Sequence, residues 1–286
     1  MHLNYLILAH NNLAQLDLLI DSLDNDKTSF FIHVDKKVPA AEIKKYRFYR
    51  NSRVKITGNR ISINWAGFSM IQATLLLMKA AIAAKKKGYF ILLSGQDMPV
   101  KCNEYIYDHL HANYGKEYIN FWTIPYSGWG RDGGAHRINY YWLIDKIGYE
   151  ESHVLYILQR KVNLKRAFFK DFAPYGGSQW WCLTHDCIKY ILKYIKFNPV
   201  IMDYFELTAF ADEIFFQSIV LNSPLQDHIV NDNLRYIDFQ DGESHPKILT
   251  ADDIPVAIRS DKLWARKFDF QHNSIIFEEL ANQLKT

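Results

Sequence analysis

The sequence predicts an α/β protein with a mostly parallel central sheet flanked by helices. In the first third of the chain, short apolar runs alternate with longer segments whose apolar residues recur at helical spacing, which is typical of repeated strand-helix units. The 286 residues are 49% hydrophobic with only 13 Gly and 8 Pro, so a substantial core is expected and a disordered or repetitive chain is excluded. No Pro-, Gly- or Ser-rich linker divides the chain, so we expect one domain over residues 1–286.

The first half supplies the strands that place polar residues at one edge of the predicted sheet. Strands are expected at Leu3–Ala9, Ser29–Val34, Val54–Ile56 and Tyr89–Leu93. Helical spacing of apolar residues predicts helices between Leu13 and Leu23 and between Ile71 and Ile82. Ligands of such open sheets bind beyond the carboxyl ends of the strands. The candidate segments are therefore those that follow a strand directly, namely His10-Asn11-Asn12, Asp35-Lys36-Lys37 and Ser94-Gly95-Gln96-Asp97.

The second half begins irregularly and then returns to order. Residues 114–175 are rich in aromatics, and Gly128–Gly134 is expected to form a long loop. Regular elements are then expected as a strand at Gln179–Thr184, helices at Asp186–Lys196 and Asp212–Leu221, a strand at Leu234–Phe239 and a terminal helix at Ser274–Leu284.

Charge, cysteine content and hydropathy exclude several classes of protein. A net charge of +3 argues against nucleic acid as a partner. The three cysteines cannot all pair, no cleavable export segment is visible, and the apolar run Met70–Ala84 is too short to span a bilayer. We therefore expect a cytoplasmic protein. The basic and apolar segment Leu155–Phe172 has two readings, a peripheral contact with the inner face of the membrane or a solvated helix face.

The chain has no P-loop, complete GxGxxG, HExxH or GxSxG, so the commonest hydrolase and dehydrogenase readings are removed. What remains is six ordered polar segments, which are His33-Val-Asp35, Trp65-Ala-Gly-Phe-Ser69, Leu93-Ser-Gly-Gln-Asp-Met-Pro99, Gly177-Ser-Gln-Trp-Trp181, Ala211-Asp-Glu-Ile-Phe-Phe-Gln217 and Leu263-Trp-Ala-Arg-Lys-Phe-Asp269. Their order and spacing resemble the core-2/I-branching β-1,6-N-acetylglucosaminyltransferase family (glycosyltransferase family 14), which includes the peptide O-xylosyltransferases. The resemblance extends from Tyr5 to Asp269 and is to a bacterial-type member.

That resemblance implies a GT-A-like nucleotide-sugar-binding fold, inversion at the anomeric carbon and catalysis without a metal or other cofactor. Residues 1–113 would form the nucleotide-binding half, and 114–286 the acceptor-binding and catalytic half. The implied partners are a UDP-sugar donor and an oligosaccharide or lipid-linked saccharide acceptor. We expect β-linked transfer of GlcNAc from UDP-GlcNAc in surface polysaccharide or lipopolysaccharide synthesis. The alternatives are a UDP-xylose-dependent xylosyltransferase and a carbohydrate-binding protein of the same fold that has lost turnover.

The reaction needs a carboxylate that takes a proton from the acceptor hydroxyl, and the resemblance implies Glu213 for this role. Its neighbour Asp212 is expected to contact substrate. Local sequence alone offers a competing interpretation, because acidic residues in the first turn of a helix also complement the helix dipole.

Departure of a nucleoside diphosphate calls for a metal or for fixed cations. The resemblance implies Lys267, Arg266 and Lys247, with Arg235 or Arg259 as substitutes for Lys247. It also implies a nucleoside contact for Asp35, and we add His10 because it follows the first strand. The string Asp24-Asn25-Asp26 has the form of a metal-binding DxD motif, but we interpret it as a turn and expect no metal ligand.

Saccharide acceptors favour aromatic platforms beside hydrogen-bonding groups. The resemblance implies Trp180 and Glu104 as acceptor contacts, and Trp181 is a further candidate, although strand alternation turns one of the two tryptophans into the core. Asp97 is either a substrate contact or the holder of its own turn. Trp65 and Gly67 are assigned to packing.

Overall fold

A computed structural model describes residues 1–130, 132–239, 245–272 and 274–283. The strands are β1 (His2–Ala9), β2 (Thr28–Val34), β3 (Val54–Ile56), β4 (Gly88–Ser94), β5 (Met98–Pro99), β6 (Glu117–Ile119), β7 (Trp122–Thr123), β8 (Tyr175–Gly176), β9 (Trp181–Thr184), β10 (Ile229–Val230), β11 (Arg235–Ile237) and β12 (Trp264–Arg266). The α-helices are α1 (Leu13–Leu23), α2 (Ala40–Ile43), α3 (Ser69–Ala83), α4 (Asn103–Ala112), α5 (Ala135–Asn139), α6 (Ile144–Ile147), α7 (Tyr149–Lys161), α8 (His185–Phe197), α9 (Val200–Glu206), α10 (Phe215–Leu221), α11 (Ile254–Arg259) and α12 (Ile275–Gln283).

The central sheet has seven strands in the order β10-β6-β9-β4-β1-β2-β3, and β9 alone runs against the others. Leu3 pairs with Thr28 on one side and Tyr89 on the other, so β1, β2 and β4 end side by side. We call that end the carboxyl edge. All three strands are buried on both faces, which explains why they read as continuous apolar runs. The predicted α/β class with a mostly parallel sheet is confirmed.

Alternate side chains of the sheet enter two separate cores. Tyr5 and Ile7 on β1 face the layer that contains α1, whereas Leu6 on the same strand faces α3, α8 and α10. The predicted helices Leu13–Leu23 and Ile71–Ile82 correspond to α1 and α3, and each buries its apolar stripe on one face of the sheet. This two-sided packing fixes the carboxyl edge between two rigid layers.

A second sheet of three strands, β11-β12-β5, lies next to the carboxyl edge. A tight turn leads from β4 into β5, in which the Ser94 amide donates to the Asp97 carboxylate at 2.9 Å. β12 then pairs antiparallel with β5, Ala265 opposite Met98. The predicted strand Leu234–Phe239 is shorter than expected, since only Arg235–Ile237 is extended and paired. This small sheet carries Arg266 to the carboxyl edge.

Two predicted helices differ from the structure. The segment predicted as one helix from Asp212 to Leu221 is a 3-10 turn, Ala211–Glu213, followed by a break at Ile214 (φ −129°) and then by α10. The basic segment Leu155–Phe172 is helical only as far as Lys161, because Asn163 adopts a left-handed conformation with φ 53°. In both places a local backbone conformation overrides the apolar periodicity. Arg131, within the predicted loop, and Leu284, at the predicted end of the last helix, lie outside the described residues.

The structure also shows the state of the three cysteines and the length and apolar character of the helices. Cys102, Cys182 and Cys187 are all free thiols, which goes further than the expectation that the three cannot all pair. None of the helices in the described ranges combines the length and apolar character needed to cross a bilayer.

Candidate functional site

Arg266 lies at the end of β12, where its guanidinium is held between an acid and an aromatic ring. Its Nε is 3.6 Å from Asp97 Oδ1, and its guanidinium carbon is 4.1 Å from the centre of the Trp180 ring. The residue is 8% exposed, and within the described ranges Nε and Nη1 have no hydrogen-bond partner. Buried guanidinium N–H groups without acceptors are costly, so this geometry favours an anionic ligand.

Asp97 supports that arginine from the interior. The carboxyl is fully buried, and burial raises its pKa, while the positive charge of Arg266 opposes the rise. Its second oxygen accepts the Ser94 amide in the turn before β5. A fully buried group does not face a saccharide, so this placement favours the structural alternative for Asp97 over a substrate contact.

Lys267 follows Arg266 directly and is half-buried at the carboxyl edge. Its carbonyl accepts the Leu249 amide at 2.8 Å, and the next amide, from Phe268, donates to Gln96 at 2.9 Å. Asn12, just before α1, donates to Asp269 at 2.8 Å. The Lys267 ammonium has no carboxylate within 4.0 Å in the described part of the chain. A well-anchored backbone therefore presents beside Arg266 a cation that has no carboxylate partner among the described residues.

His10 and Asp35 belong to the same neighbourhood. Partial burial of the His10 ring lowers its pKa, Asp35 opposes that shift, and the charges of Lys267 and Arg266 strengthen it. Asp35 is buried at the end of β2, where its carboxylate accepts the backbone amides of Lys37 at 2.8 Å and Ile63 at 3.1 Å. The structure thus brings together four of the five residues predicted for the nucleotide. The nucleoside contact of Asp35 stays a prediction.

The fifth residue predicted for the nucleotide, Lys247, is already paired with an acid. The Lys247 ammonium is 2.7 Å from Asp253 and 4.0 Å from Asp238, and the hydrogen bond that it donates to Asp253 raises the pKa of this lysine. Its substitutes do not take its place. Arg235 is buried and donates to the Leu92 carbonyl at 2.7 Å, and Arg259 is exposed at the end of α11.

Glu213 ends the 3-10 turn before α10, and its carboxylate is paired with an arginine from a distant part of the chain. Glu213 Oε2 is 2.6 Å from Arg137 Nη1, and the guanidinium carbon of Arg137 lies 3.8 Å from the centre of the Trp129 ring and 4.5 Å from that of Phe210. The Glu213 side chain remains 32% exposed. Burial raises the pKa of the Glu213 carboxyl, and Arg137 opposes the rise. The result is an accessible carboxylate held in one orientation.

Asp212 stands beside it and is half-buried. Burial, and after it the charge of Glu213, raises the pKa of the Asp212 carboxyl. Two adjacent carboxyls with raised pKa values are typical of proton-transfer sites.

Residues 177–180 connect the carboxylate to the cations. At one end the Gly177 amide donates to the Glu213 carbonyl at 2.8 Å, and at the other end Trp180 covers Arg266. Gln217 holds the middle by donating to the Ser178 carbonyl at 2.6 Å. A Cβ at position 177 would come within 1.8 Å of the Asn120 carbonyl oxygen, so the close approach requires glycine. Three residues span at most about 10 Å, so residues 177–180 limit the separation between the backbone at Glu213 and the contact of Trp180 with Arg266.

Two residues predicted as acceptor contacts are not at this site. Trp181 is fully buried and packs on Phe216, whereas its neighbour Trp180 faces Arg266, as strand alternation requires. Glu104 is exposed in the first turn of α4, where the preceding Asn103 donates to the Ser22 carbonyl in the last turn of α1. Since α1 begins at the carboxyl edge and runs about 16 Å away from it, Glu104 lies at the opposite edge of the sheet.

Three residues at the site were missed or misassigned by sequence reasoning. Arg137 lies in the irregular region 76 positions from Glu213, and Phe210 adopts a left-handed conformation with φ 50° that no pattern indicated. Trp65, assigned to packing, is 52% exposed, with its ring centre 5.0 Å from that of Phe210 and 5.9 Å from that of His245. It forms an open aromatic surface next to the Arg137–Glu213 pair. For Arg137 the one available clue was its place in the aromatic-rich residues 114–175, and Trp65 and Phe210 lie outside that region.

The residues present do not form a recognisable metal centre. In the described ranges no group of three or more His, Cys, Asp or Glu side chains converges. Asp24, in the DxD-like string, is 2.7 Å from Arg53 Nε and accepts from Asn51 at 2.8 Å, so it belongs to a turn as predicted.

A cation pair suited to an anion, joined through residues 177–180 to an oriented carboxylate, is suited to group transfer from a phosphorylated donor. Comparison with known proteins agrees with this class. The sequence profile of the Core-2/I-Branching enzyme family matches residues 3–258, so the chain belongs to the Core-2/I-Branching enzyme family of glycosyltransferases. The resemblance indicated by the six motifs is confirmed, and the central sheet agrees with the GT-A-like fold that it implied.

Curated relatives include rat xylosyltransferase 2, 25% identical over 241 residues, and rat xylosyltransferase 1, 22% identical over 237 residues. Each alignment covers 81% of this chain but only 26% and 27% of the relative, so the chain spans about a quarter of their length. Among solved structures, mouse xyloside xylosyltransferase 1 aligns with TM-score 0.39 and 11% identity over 93% of this chain and 97% of that one. S. aureus TarS 1–349 aligns with TM-score 0.42 and 12% identity over 99% of this chain and 71% of that one.

Proposed function

We propose that this glycosyltransferase is an inverting enzyme that works without a divalent metal and transfers GlcNAc, β-linked, from UDP-GlcNAc to a saccharide acceptor of a surface glycan. The observation that carries the proposal is the placement of Glu213 and of Arg266 with Lys267 at the two ends of residues 177–180.

In this reaction the acceptor hydroxyl attacks the anomeric carbon from the face opposite the nucleotide. Glu213 accepts the hydroxyl proton as the new C–O bond forms and the bond to the diphosphate oxygen breaks. A carboxyl whose pKa is raised by burial is a stronger base than a solvated one, while Arg137 keeps it ionised and oriented. The exposed fraction of Glu213 lets an acceptor reach it.

The electron pair of the broken bond remains on the diphosphate, whose negative charge increases. Arg266 and Lys267 stabilise that charge with N–H donors that the described part of the chain leaves free. Since fixed cations serve this purpose, the site has no need of a metal. Asp97 and Trp180 hold the guanidinium in place before the ligand arrives.

Xylose is the second candidate donor sugar, since curated relatives that match most of this chain are named xylosyltransferases. A carbohydrate-binding protein without turnover is the third reading, against which the presence of Glu213, Arg266 and Lys267 counts. We place the enzyme in the cytoplasm, where UDP-sugars are made available to it.

A thermal-shift panel tests the proposal, with UDP, UDP-GlcNAc, UDP-xylose, UDP-glucose, GDP-mannose and CMP-sialic acid, each in EDTA and in manganese. A ligand that binds only the folded state raises the free energy of unfolding by about 2.7 kcal/mol when its concentration is 100 times its Kd. We expect UDP and UDP-GlcNAc to raise the melting temperature equally in both buffers. A shift that requires manganese would overturn the metal-free mechanism, a preference for UDP-xylose would change the donor, and no shift with any nucleotide would favour the binding protein.

A further inference from the structure

The end of α7 and the loop that follows it form an exposed apolar surface. Residues 154–165 contain more than half of the large aliphatic side chains that are exposed in the described ranges, namely Val154, Ile157, Leu158, Val162 and Leu164. The first three recur at helical spacing, so they share the outward face of α7, opposite the buried Ser152 and Tyr156. We call residues 154–165 the apolar tip.

The backbone of the apolar tip is firmly closed. The Leu164 amide donates to the Gln159 carbonyl at 2.9 Å and the Asn163 amide to the Arg160 carbonyl at 3.2 Å, the paired bonds of a Schellman motif with Asn163 in the left-handed position. Such motifs usually fold the second residue after the cap back onto the helix. Here Leu164 is 52% exposed and Val162 is 73% exposed, so two aliphatic side chains project from a rigid turn.

Arg166 follows the apolar tip and anchors it to the rest of the protein. Its side chain is buried, unlike those of the basic residues before it. Its Nε donates to the Ile138 carbonyl at 2.8 Å and its Nη1 to the Tyr204 carbonyl at 2.9 Å, with the guanidinium carbon 3.8 Å from the centre of the Tyr204 ring. Arg166 is therefore a buried structural residue, a correction to the reading of Leu155–Phe172 as one continuous basic face.

Charge along α7 is divided between its ends. Residues 154–165 contain Arg160, Lys161 and Lys165 and no acid, whereas Glu150 and Glu151 occupy the first turn of the helix. All three basic residues are exposed. Exposed aliphatics surrounded by basic side chains match the chemistry of an anionic lipid surface, in which apolar groups enter the acyl boundary and cations meet the headgroups.

We propose that the apolar tip docks this protein on the surface of an anionic membrane, with Val162 and Leu164 inserted and with the acidic start of α7 turned away. Beside the tip is a cavity of about 650 Å³, lined by Trp129, His136, Tyr156, Arg160 and Lys165 among others. Trp129, in the wall of this cavity, stacks on Arg137, and Arg137 donates a hydrogen bond to the Glu213 carboxylate. Docking therefore brings the acceptor side of the site to the lipid headgroups, a consequence that rests on the proposed function and suits a lipid-linked saccharide.

Vesicle co-sedimentation without nucleotide or acceptor tests the docking by itself. The whole chain is mixed with vesicles of phosphatidylcholine alone or of phosphatidylcholine with phosphatidylglycerol, and we expect binding to the second only. Lys161→Gln with Lys165→Gln should weaken partitioning about 25-fold, since each basic residue near an anionic surface contributes about fivefold. Val162→Ser with Leu164→Ser should weaken it about tenfold or more through loss of buried apolar area.

Matched variants on α8 and at the start of α9 separate the tip from general charge and hydrophobicity. Lys189→Gln with Lys193→Gln removes two exposed cations from α8, and Phe197→Ser with Val200→Ser removes side chains that are 67% and 57% exposed. Both should bind vesicles as the unmodified chain does, and Glu150→Gln with Glu151→Gln should bind more tightly. Circular dichroism melts confirm that each variant is folded.

Two kinds of result would overturn the proposal. One is a failed vesicle test, either absence of binding to anionic vesicles or equal loss in the control variants on α8 and α9. The other is a dimer in light scattering that Val162→Ser with Leu164→Ser converts to monomer, which would make the tip an interface between copies of this chain. Neither result bears on nucleotide binding, so the docking and the transfer reaction fail or succeed separately.

Discussion

Two regions of the site use the same three components, an arginine, an aromatic ring and a carboxylate, with opposite orientation. At the carboxyl edge Arg266 lies on Trp180 and faces Asp97; in the other region Arg137 lies on Trp129 and faces Glu213. In the first pair the acid is the covered member: the Asp97 side chain is 0% exposed, and the Arg266 side chain is 10% exposed. In the second pair the acid is the more exposed member, 32% against 14%.

The difference shows which member of each pair is available to a ligand. Asp97 is inside, so it orients a cation; Arg137 is the better covered member of its pair, so it orients an acid. The nitrogen–oxygen distances in the two pairs agree with these roles. Arg137 Nη1 is 2.6 Å from Glu213 Oε2, a close hydrogen bond, whereas Arg266 Nε is 3.6 Å from Asp97 Oδ1. A tight pair restricts the base to one direction, and a loose pair leaves guanidinium N–H groups free for phosphate.

The largest expected effect comes from the exposed acid. Glu213→Gln preserves shape but removes the proton acceptor, so we expect kcat to fall about 10²–10⁴-fold while UDP affinity is unchanged. Turnover and UDP binding are measured on the same preparation. Glu206→Gln, an exposed glutamate 3.4 Å from Lys146, is the matched control and should behave as the unmodified enzyme. Near-normal turnover of Glu213→Gln would remove this residue from the reaction.

The next effect concerns Lys267, the half-buried cation beside Arg266. Lys267→Gln should weaken UDP binding about 10–100-fold, because a hydrogen bond to a charged group contributes about 1.5–3 kcal/mol. Calorimetric titration with UDP in EDTA measures it, and Arg259→Gln, which removes an exposed cation at the end of α11, supplies the control. Equal affinity in all three proteins would show that the diphosphate lies elsewhere.

A pH profile distinguishes orientation from chemistry in the Arg137–Glu213 pair. Arg137 lowers the pKa of the Glu213 carboxyl against the rise caused by burial. Removing this charge in Arg137→Met raises that pKa further, so the acid limb of kcat/KM should move to higher pH and the loss of activity should be greatest in acid. Arg137→Lys retains the charge and should leave the limb nearer its original position. An unshifted limb in Arg137→Met would mean that Glu213 does not control the profile.

The smallest expected effect belongs to the open aromatic surface. Trp65→Ala should raise the KM for a saccharide acceptor about fivefold, the value of one aromatic contact of about 1 kcal/mol, and leave UDP binding unchanged. Tyr49→Ala is a suitable control because that side chain is 46% exposed elsewhere in the molecule. A change in the UDP affinity of Trp65→Ala would assign the surface to the donor.

The sequence predicts the strands well because burial on both faces leaves unbroken apolar runs in β1, β2 and β4. It also locates Asp35, Glu213, Arg266 and Lys267 through local motifs, although the family profile ends at residue 258, before both cations. Glu104 and Trp181 were misplaced because a motif does not state which edge or face of an element a side chain occupies. Arg137 was missed because its contact with Glu213 joins segments 76 positions apart through an irregular region.

Residues 177–180 join Glu213 to the Trp180–Arg266 contact, and in the proposed reaction they set the spacing between the base and the leaving group. A bimolecular displacement tolerates little error in the line through nucleophile, carbon and departing oxygen. One inserted residue would lengthen the spacer by about 3.5 Å, more than that line allows, although it would disturb neither Glu213 nor Arg266 directly. In the proposed reaction the alignment is thus encoded as a count of peptide units, and it is sensitive to insertions that a surface loop would absorb.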